Sequence, residues 1–388
     1  MSTSTDTMNG DVDYGCDIQK VESLAKRLAT HDWEYAACAE ALLELHHPSL
    51  SVFSPHCFPN GRLPELSSPG DISALQYVKD RIQLGADNLS NDDWGVADPA
   101  ALGVSALLLG QCSGLPNSEE FRDASRRQAE YLLKKAPLWA NAAISHRKKV
   151  VELWADFIYM VPPFLAYYAV ATQDTFYLKH SFGQCSLYRA ILLDSSESAG
   201  RVGGLWQHIV GSEKSDPGFW STGNGWVAAG LCRVLATVKH WKPVDFDVDT
   251  TISKLGKWIN DIIRAAMATD DHESGLLRNY LNDDSWFGEI SGTALLASVV
   301  FRMAVLLPDE ARGGDLKWAM EKREAVLRSV DEEGIAKPAV QPLDHGLREP
   351  LMTGSPEGQS FVLMMCAAHR DYCIQKQNKD QTPLLTVR

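Results

Sequence analysis

The stretch WSTGNGWVAAGLCRVLATVKHW, residues 220–241, carries the strongest structural signal in the chain. Its first part sets two tryptophans, Trp220 and Trp226, around Ser-Thr-Gly-Asn-Gly. Gly and Asn tolerate positive φ better than other residues, so this part is typical of a tight loop. The apolar residues that follow recur at helical spacing as far as Pro243. The pattern predicts a loop that leads into a long helix and carries indole rings and polar groups suited to binding a sugar.

The same helical spacing recurs along most of the chain, without the alternation that is typical of strands. At least ten candidate helices follow one another, beginning with residues 21–45. Short turns alternate with long loops rich in Trp, Asp and Gly, such as residues 205–226 and 272–292. Helix pairs joined in this way favour a closed ring, with the functional groups on the side of the long loops. We therefore predict an all-α toroid of helical hairpins.

Composition predicts one large domain and a small-molecule substrate. A chain of 388 residues with 45% hydrophobic content can bury a large core, which we assign to residues 18–375. The polar ends, residues 1–17 and 376–388, are predicted to be disordered tails. A net charge of −13 disfavours nucleic acid and anionic membranes as partners.

The sequence carries no signal for export, for a membrane span or for a cofactor. Its N-terminus lacks a basic and an apolar region, and no later segment has about eighteen uninterrupted apolar residues, so a cytoplasmic location is expected. The eight cysteines are scattered without metal-ligand spacing and are predicted to be buried, reduced thiols. Because no metal or nucleotide motif is present, we expect neither a metal nor another cofactor.

The segment LWADFIYMVPPFLAYYA, residues 153–169, places a single carboxylate, Asp156, among aromatic and apolar residues. Pro162 and Pro163 disfavour a helix interior, so the helix is predicted to begin at this pair after an extended lead-in. Burial would raise the pKa of Asp156 and let it donate a proton near neutral pH. The alternative is that Asp156 caps a turn in contact with solvent.

Four segments in the same order resemble the unsaturated uronyl hydrolases of glycoside hydrolase families 88 and 105. WSTGNGWVAAGLCRVL is similar to their WGRGNGW-helix motif, and LWADFIYMVPPFLAYYA to their MWxDxxYMxxPFLAxYA segment. GLWQHIV resembles a G-L-x-x-H stretch, and SWFGEISGTALLA an E-x-SGTA helix start. The likeness runs from about Asp98 to Cys366 and implies an (α/α)6 barrel, that is, six helical hairpins.

The resemblance also implies a chemistry and an acid. In this family an aspartate, here Asp156, protonates the C4=C5 bond of a 4,5-unsaturated uronate and activates the water that adds at C5. The hemiketal formed then collapses and releases the neighbouring sugar. One acid/base residue is sufficient, in contrast to the carboxylate pair of ordinary glycosidases.

A second aspartate of the family site is assigned to Asp98, with Asp92 and Asp93 as rivals. The alternative for Asp98 is an N-cap before Pro99, whose carboxylate accepts a backbone N–H. His208 either orients the substrate or is an interior histidine, and Glu289 either binds substrate or is a charge at a helix N-terminus. Trp154, Trp206 and Trp286 are predicted to lie in the core. The predicted substrate-binding residues are His208, Trp220, Thr222, Asn224, Trp226 and Glu289.

One position departs from the family pattern. Thr222 stands where the family has the arginine that is associated with the uronate carboxylate, and a hydroxyl cannot replace a charged, bidentate donor. Arg201, Lys214 and Arg278 are candidates to take over that contact. The sequence therefore predicts a hydrolase of small unsaturated uronyl saccharides. Two alternatives are a barrel reused for acid-catalysed small-molecule isomerisation or cyclisation, and a non-catalytic sugar-binding relative.

Overall fold

The computed structural model describes residues 13–194 and 203–381, in which helices joined by long loops are the main regular structure. Its four strands are only two residues long and form two antiparallel pairs, β1 with β2 and β3 with β4. The helices are α1 Ile18–Leu28, α2 Asp32–His46, α3 Ser73–Val78, α4 Asp98–Ala101, α5 Gly103–Leu109, α6 Ser118–Lys134, α7 Phe157–Thr172, α8 Thr175–Leu192, α9 Ser221–Trp241, α10 Val248–Ala268, α11 Ile290–Leu306, α12 Gly313–Arg328 and α13 Pro356–Gln381. The strands are β1 Leu153–Trp154, β2 Ile209–Val210, β3 Leu277–Arg278 and β4 Gly288–Glu289.

Inner and outer helices alternate along the chain. The inner ring runs from α2 through α4, α7, α9 and α11 to α13, and α13 packs back against α2, which closes the ring. Helix α5 continues the inner segment begun by α4, and α1, α3, α6, α8, α10 and α12 each pack on the outside of an inner helix. The predicted six-hairpin, all-α barrel is confirmed.

The composition of each helix matches its layer. Inner helix α9 is buried along nearly its whole length, because the ring covers one side and the outer helices the other. Its apolar residues therefore surround the helix instead of forming a stripe. Outer helix α6, SEEFRDASRRQAEYLLK, buries one face and exposes its charged residues. Local sequence patterns predict both the inner and the outer helices.

The segment STGNGW is the first part of helix α9, not a loop, which corrects the sequence prediction. Its glycines serve close packing instead of positive φ: a Cβ on Gly225 would lie 3.2 Å from Leu295 of α11. The side-chain amide of Asn224 both accepts a hydrogen bond from the backbone of the preceding loop and donates one to it. Its Oδ1 accepts a hydrogen bond from the Trp206 N–H at 2.9 Å, and its Nδ2 donates to the Trp206 carbonyl at 3.0 Å.

The proline pair lies inside α7, which begins at Phe157, so the predicted start at Pro162 and Pro163 was wrong. Proline removes an amide donor and normally disrupts a helix interior. Here a neighbouring helix packs directly on the carbonyl that loses its donor, since a Cβ on Gly230 of α9 would lie 2.1 Å from the Ile158 oxygen. Tertiary packing thus overrides the local preference.

Replacing Gly230 by Ala is expected to destabilise the fold. The new methyl group would overlap the Ile158 carbonyl, which belongs to a rigid buried helix, so α7 and α9 must separate. Overpacking of this kind costs about 1–3 kcal/mol of unfolding free energy. Urea unfolding of the variant measures it, and Gly183→Ala is the control because nothing lies within 4 Å of its added Cβ. Equal stability of the two variants would contradict the expected overlap.

Two further boundaries differ from the sequence prediction. The stretch 21–45 forms two helices, because the Glu34 side chain accepts the backbone N–H groups of Thr30 and His31 and starts α2 anew. Helix α13 continues to Gln381, into the segment predicted as a C-terminal tail. Residues 1–12 and 382–388 lie outside the described residues. None of the described helices combines the length and apolarity needed to cross a bilayer.

Candidate active site

The N-terminal ends of several inner helices open into one cavity of about 380 Å³. Trp33 lies at the start of α2, Asp98 at the start of α4, Asp156 before α7, Trp220 before α9 and Glu357 at the start of α13. A volume of this size falls in the range of small-molecule sites. The remaining lining residues come from the connecting loops and from α7, namely His31, Asp92, Trp94, His146, Trp154, Met160, Lys214, Pro342, Leu343 and His345.

The pairing of β1 with β2 sets Asp156 beside His208. Trp154 pairs with Ile209, and beyond this pair the Ala155 N–H donates to the His208 carbonyl at 2.8 Å. Asp156 follows Ala155 directly, and its Oδ2 lies 3.3 Å from Nε2 of the His208 side chain. Asp156 occupies the N-cap position of α7, but its side chain makes no capping hydrogen bond, so the alternative of a simple turn cap does not hold.

Asp156 is buried but paired, and this changes the expected direction of its pKa. Burial by itself would raise the pKa, as predicted from the sequence, but the N–H and the charge of His208, with a smaller effect of His146, lower it below the ordinary value. Burial likewise would lower the pKa of His208, and Asp156 and Asp216 together raise it. Both directions favour the form in which a carboxylate lies beside an imidazolium, so that the pair holds one proton.

His208 is held from its other side by Asp216. Asp216 Oδ2 lies 3.0 Å from His208 Nδ1 and 3.3 Å from His345 Nε2, and it also accepts the hydroxyl of Tyr280. These donors lower the pKa of Asp216, although burial opposes them. Possible ligand atoms of His208, Asp216 and His345 lie within 4.8 Å of one another, a spacing that also suits a divalent cation. In the described part of the chain, the hydrogen bonds to Asp216 are sufficient to hold these three side chains together.

Asp98 and His146 form a second buried pair, with Asp98 Oδ1 3.4 Å from His146 Nε2. Asp98 does not cap α4, which corrects the N-cap alternative, and its Oδ2 has no partner among the described residues. Burial, reinforced by the carboxylates of Asp32 and Asp156, raises the pKa of Asp98 well above its ordinary value. Of its rivals, Asp92 lines the cavity, while Asp93 is exposed and pairs with Lys149 at 3.0 Å.

The buried His146 is expected to make stability depend on pH. Burial lowers its pKa from 6.5 to about 4, so between these two pH values His146 is protonated in the unfolded chain and neutral in the native state. Stability is therefore lost as the pH falls from 6.5 to about 4, by about 3 kcal/mol. His146→Phe keeps a ring stacked on Trp154 and should remove this part of the decline in urea unfolding across that pH range. Parallel curves for the two proteins would contradict the assignment.

Indole rings form the walls of the cavity, but not all those predicted. Trp220 lines it, as predicted, with its ring 4.4 Å from the His208 ring. Trp154, predicted to lie in the core, also lines it and stacks on His146 with ring centroids 5.0 Å apart. Trp226 is fully buried between Tyr159 and Phe361 and has no surface on the cavity. Trp226 therefore cannot stack on a sugar bound in the cavity, in contrast to the prediction.

Three other predicted binding residues lie beneath the cavity and hold helices together. Glu289 caps α11 by accepting the N–H groups of Ser291 and Gly292, both at 2.6 Å, which is the alternative weighed for it. The Ser221 hydroxyl donates to the same carboxyl at 2.7 Å, and Thr222 lies 3.4 Å from it. Asn224 binds backbone, as described above. None of Glu289, Thr222 and Asn224 lines the cavity.

A single lysine is the fixed cation of the described lining. Lys214 lies at the rim, where its backbone N–H donates to Glu152 Oε1 at 2.6 Å. Arg278 instead pairs with Asp271 outside the cavity, and Arg201 lies outside the described residues. Lys214 is thus the candidate for the contact that Thr222 cannot make.

Sequence reasoning missed several cavity residues. Trp33, His146, His345 and Glu357 line it, and Asp216 supports it from behind. Trp33 and Glu357 carried a usable signal, since both lie at N-terminal ends of inner helices, as Asp98 and Asp156 do. His345 belongs to a long loop that touches the cavity only because the ring closes, which no local pattern reports.

Comparison with known proteins agrees with this architecture. A search among curated proteins finds no sequence match. Solved structures with a similar fold include a possible member of the GH105 family from Klebsiella pneumoniae subsp. pneumoniae MGH 78578, with TM-score 0.69, 17% identity and 92% coverage of both chains. A family 105 glycoside hydrolase from C. acetobutylicum ATCC 824 has TM-score 0.66 and 15% identity, with coverage of 92% of this chain and 99% of that one. The unsaturated glucuronyl hydrolase of Bacillus sp. GL1 has TM-score 0.58 and 14% identity, with coverage of 92% and 95%.

At these identities the structural likeness establishes the fold alone. The family follows from the sequence itself, because residues 98–335 match Glycosyl Hydrolase Family 88. That match spans more than half of the chain and includes Asp98, Asp156 and His208. The chain is a glycosidase-type hydrolase and belongs to glycosyl hydrolase family 88.

Proposed function

We propose that the protein hydrolyses small 4,5-unsaturated uronyl saccharides, with Asp156 as the acid/base. The observation that carries the proposal is the buried Asp156 carboxyl on the cavity, 3.3 Å from an imidazole that is itself fixed by Asp216. The contact between Asp156 Oδ2 and His208 Nε2 is not an aligned hydrogen bond, so the carboxyl retains acceptor capacity for a substrate atom at the cavity. The indoles of Trp154 and Trp220 offer flat apolar surfaces to the sugar.

The proton shared by Asp156 and His208 supplies the acid. When a bound uronate brings its negative charge close to Asp156, the ionised form of Asp156 becomes less favourable. The proton then moves from His208 to Asp156. Asp156 then donates the proton to C4 of the substrate, and positive charge develops at C5. Water adds at C5 and returns a proton to Asp156. The hemiketal opens and the neighbouring sugar leaves, so the site ends with the proton it began with.

Lys214 is proposed to bind the uronate carboxylate in place of the family arginine. It is the one described cavity residue with a permanent positive charge, and Thr222 faces Glu289 beneath the cavity. The N-terminal ends of the surrounding helices add partial positive charge to the same region. Lys214→Met is expected to raise KM by about tenfold, because a charge-assisted hydrogen bond contributes about 1.5–3 kcal/mol, part of which solvent and the helix ends replace. The effect on kcat should be small.

Loss of ultraviolet absorbance by unsaturated uronyl disaccharides tests the proposal. The panel contains glucuronyl and rhamnogalacturonyl disaccharides with the C4=C5 bond, and their saturated counterparts, which lack the bond to be protonated. We expect decay of at least one unsaturated member together with release of a reducing sugar. Hydrolysis of the saturated counterparts instead would point to ordinary glycosidase chemistry. Decay of none would direct attention to other acid-catalysed chemistry on this scaffold.

A further inference from the structure

Glu357 is a carboxyl of the cavity that the mechanism above does not use. It lies in the first turn of α13 and is 2% exposed. Its Oε1 accepts a hydrogen bond from Trp33 Nε1 at 2.9 Å. Its Oε2 is buried and has no partner among the described residues, although the side chain lines the same cavity as Asp156. A buried polar atom without a partner is costly, and in a binding site it points to a ligand.

We propose that Glu357 and Trp33 form a sugar-binding subsite, in which the carboxyl O–H of Glu357 donates a hydrogen bond to a hydroxyl or ring oxygen of the bound sugar. Because the sugar is taken from the proposed function, the inference rests on that function and defines how its substrate is recognised. The Trp33 N–H fixes the orientation of the carboxyl, and the Trp33 ring, which stacks on His31, lines the cavity beside it.

The surroundings of Glu357 favour the neutral acid. The titratable groups that act on it are themselves carboxyls: Glu34 of α2, Asp156 before α7 and Glu289 before α11. Burial first, and then these neighbouring charges, raise the pKa of Glu357 well above its ordinary value. Oε1 is taken as acceptor by Trp33, so the proton lies on the unpartnered Oε2.

The same charges decide which substrate oxygen is bound. A substrate carboxylate at this position would lie near Asp156, Glu34 and Glu289, without a described cation that pairs with Glu357. A neutral acceptor avoids that repulsion. Glu357 is therefore a specificity-determining residue for the hydroxyls or the ring oxygen of the sugar, whereas the uronate carboxylate belongs near Lys214.

Calorimetric binding of an unsaturated uronyl disaccharide to Asp156→Asn tests the subsite without turnover. In that background Glu357→Met should weaken binding about tenfold, the effect of one lost hydrogen bond. Glu357→Gln keeps an acceptor for Trp33 and an N–H donor towards the sugar, so it should stay within about threefold of the parent. Raising the pH through the pKa of Glu357 should weaken binding by the parent and leave the Gln variant unaffected by that ionisation. Thermal melting of each variant separates binding from folding.

Defined outcomes overturn the inference. Binding by Glu357→Met as tight as the parent's excludes the contact, and a Gln variant as weak as the Met variant means that the carboxyl acts as an ionised acceptor. The methyl ester of the uronate should show the same tenfold effect of Glu357→Met; loss of the effect means that Glu357 binds the carboxylate. If the wild-type protein hydrolyses none of the disaccharides but its affinity for them still depends on Glu357, only the proposed function is wrong. If it hydrolyses them and Glu357→Met leaves KM unchanged, only the subsite is wrong. Absence of both binding and hydrolysis overturns the two together.

Discussion

Asp156→Asn is expected to reduce the hydrolysis of unsaturated uronyl disaccharides by roughly 10³-fold or more, at the upper end of what general acid–base catalysis contributes. Asparagine has nearly the same shape but neither gives nor takes a proton. His208 lies behind the carboxyl and does not replace it, because its Nδ1 is engaged by Asp216 and its Nε2 faces Asp156. The measurement is kcat/KM from the decay of ultraviolet absorbance.

The matched control is Asp80→Asn, which also exchanges a carboxylate for an amide but lies on the surface with its side chain 82% exposed. It should retain the full rate. Thermal melting verifies that the Asp156 variant remains folded. If that folded variant kept a tenth of the wild-type rate, another group would have to supply the proton, and Asp98, the other carboxyl predicted for the site, would be the first to examine.

Glu44→Gln is expected to lower the free energy of unfolding by about 3 kcal/mol, because it disrupts two buried charge-assisted hydrogen bonds that contribute about 1.5 kcal/mol or more each. Glu44 lies inside the ring, away from the cavity, and bridges two arginines of neighbouring inner helices, Arg233 of α9 and Arg302 of α11. Its Oε1 lies 2.5 Å from Arg233 Nη2 and its Oε2 2.8 Å from Arg302 Nη2. Glutamine keeps the shape but removes the charge that the two arginines share, and its amide nitrogen would face one guanidinium donor to donor. Arg233 and Arg302 would then keep only Glu40 and Asp371, respectively, as carboxylate partners.

Urea unfolding measures the loss, with Glu321→Gln as control. Glu321 also pairs with a basic residue, Lys317 at 3.7 Å, but both side chains are more than half exposed. Its loss should change stability by less than about 1 kcal/mol. Similar effects of the two substitutions would show that the network inside the ring does not depend on its charge balance.

The helices and their order were predictable because helical periodicity is a local property. An outer helix such as α6 repeats its apolar residues every three to four positions, and an inner helix such as α9 is apolar on all sides. Predictions that relied on the local behaviour of Gly and Pro failed: STGNGW is helical and the Pro162–Pro163 pair lies within α7. In both places a neighbouring inner helix packs so closely that tertiary contact outweighs the local preference.

Part of the candidate site was predictable for a different reason. Asp156, His208 and Trp220 belong to segments that resemble a family pattern in order, and Asp98 was chosen as the second aspartate that the resemblance implies. Asp98, Asp156 and Trp220 line the cavity, and His208 lies beside Asp156. Trp226, Thr222, Asn224 and Glu289 belong to the same segments, but they are buried and do not line the cavity. Glu289 caps α11, Thr222 and Asn224 contact polar groups next to helix ends, and Trp226 packs in the core. A motif marks a segment, and it does not distinguish the residues that touch a ligand from those that position the segment.

The sequence by itself determined the ring of helical hairpins and singled out Asp156, but it placed the start of α7 at the proline pair instead of at Phe157. Only the tertiary structure decided the protonation of the site, because the partners of Asp156 and Glu357 come from segments far away in the chain. The lowered pKa of Asp156 and the raised pKa of Glu357 both begin from burial, and the sign then depends on whether a histidine or another carboxyl lies next to the group. Long-range pairing sets that neighbour, and no spacing within one segment encodes it.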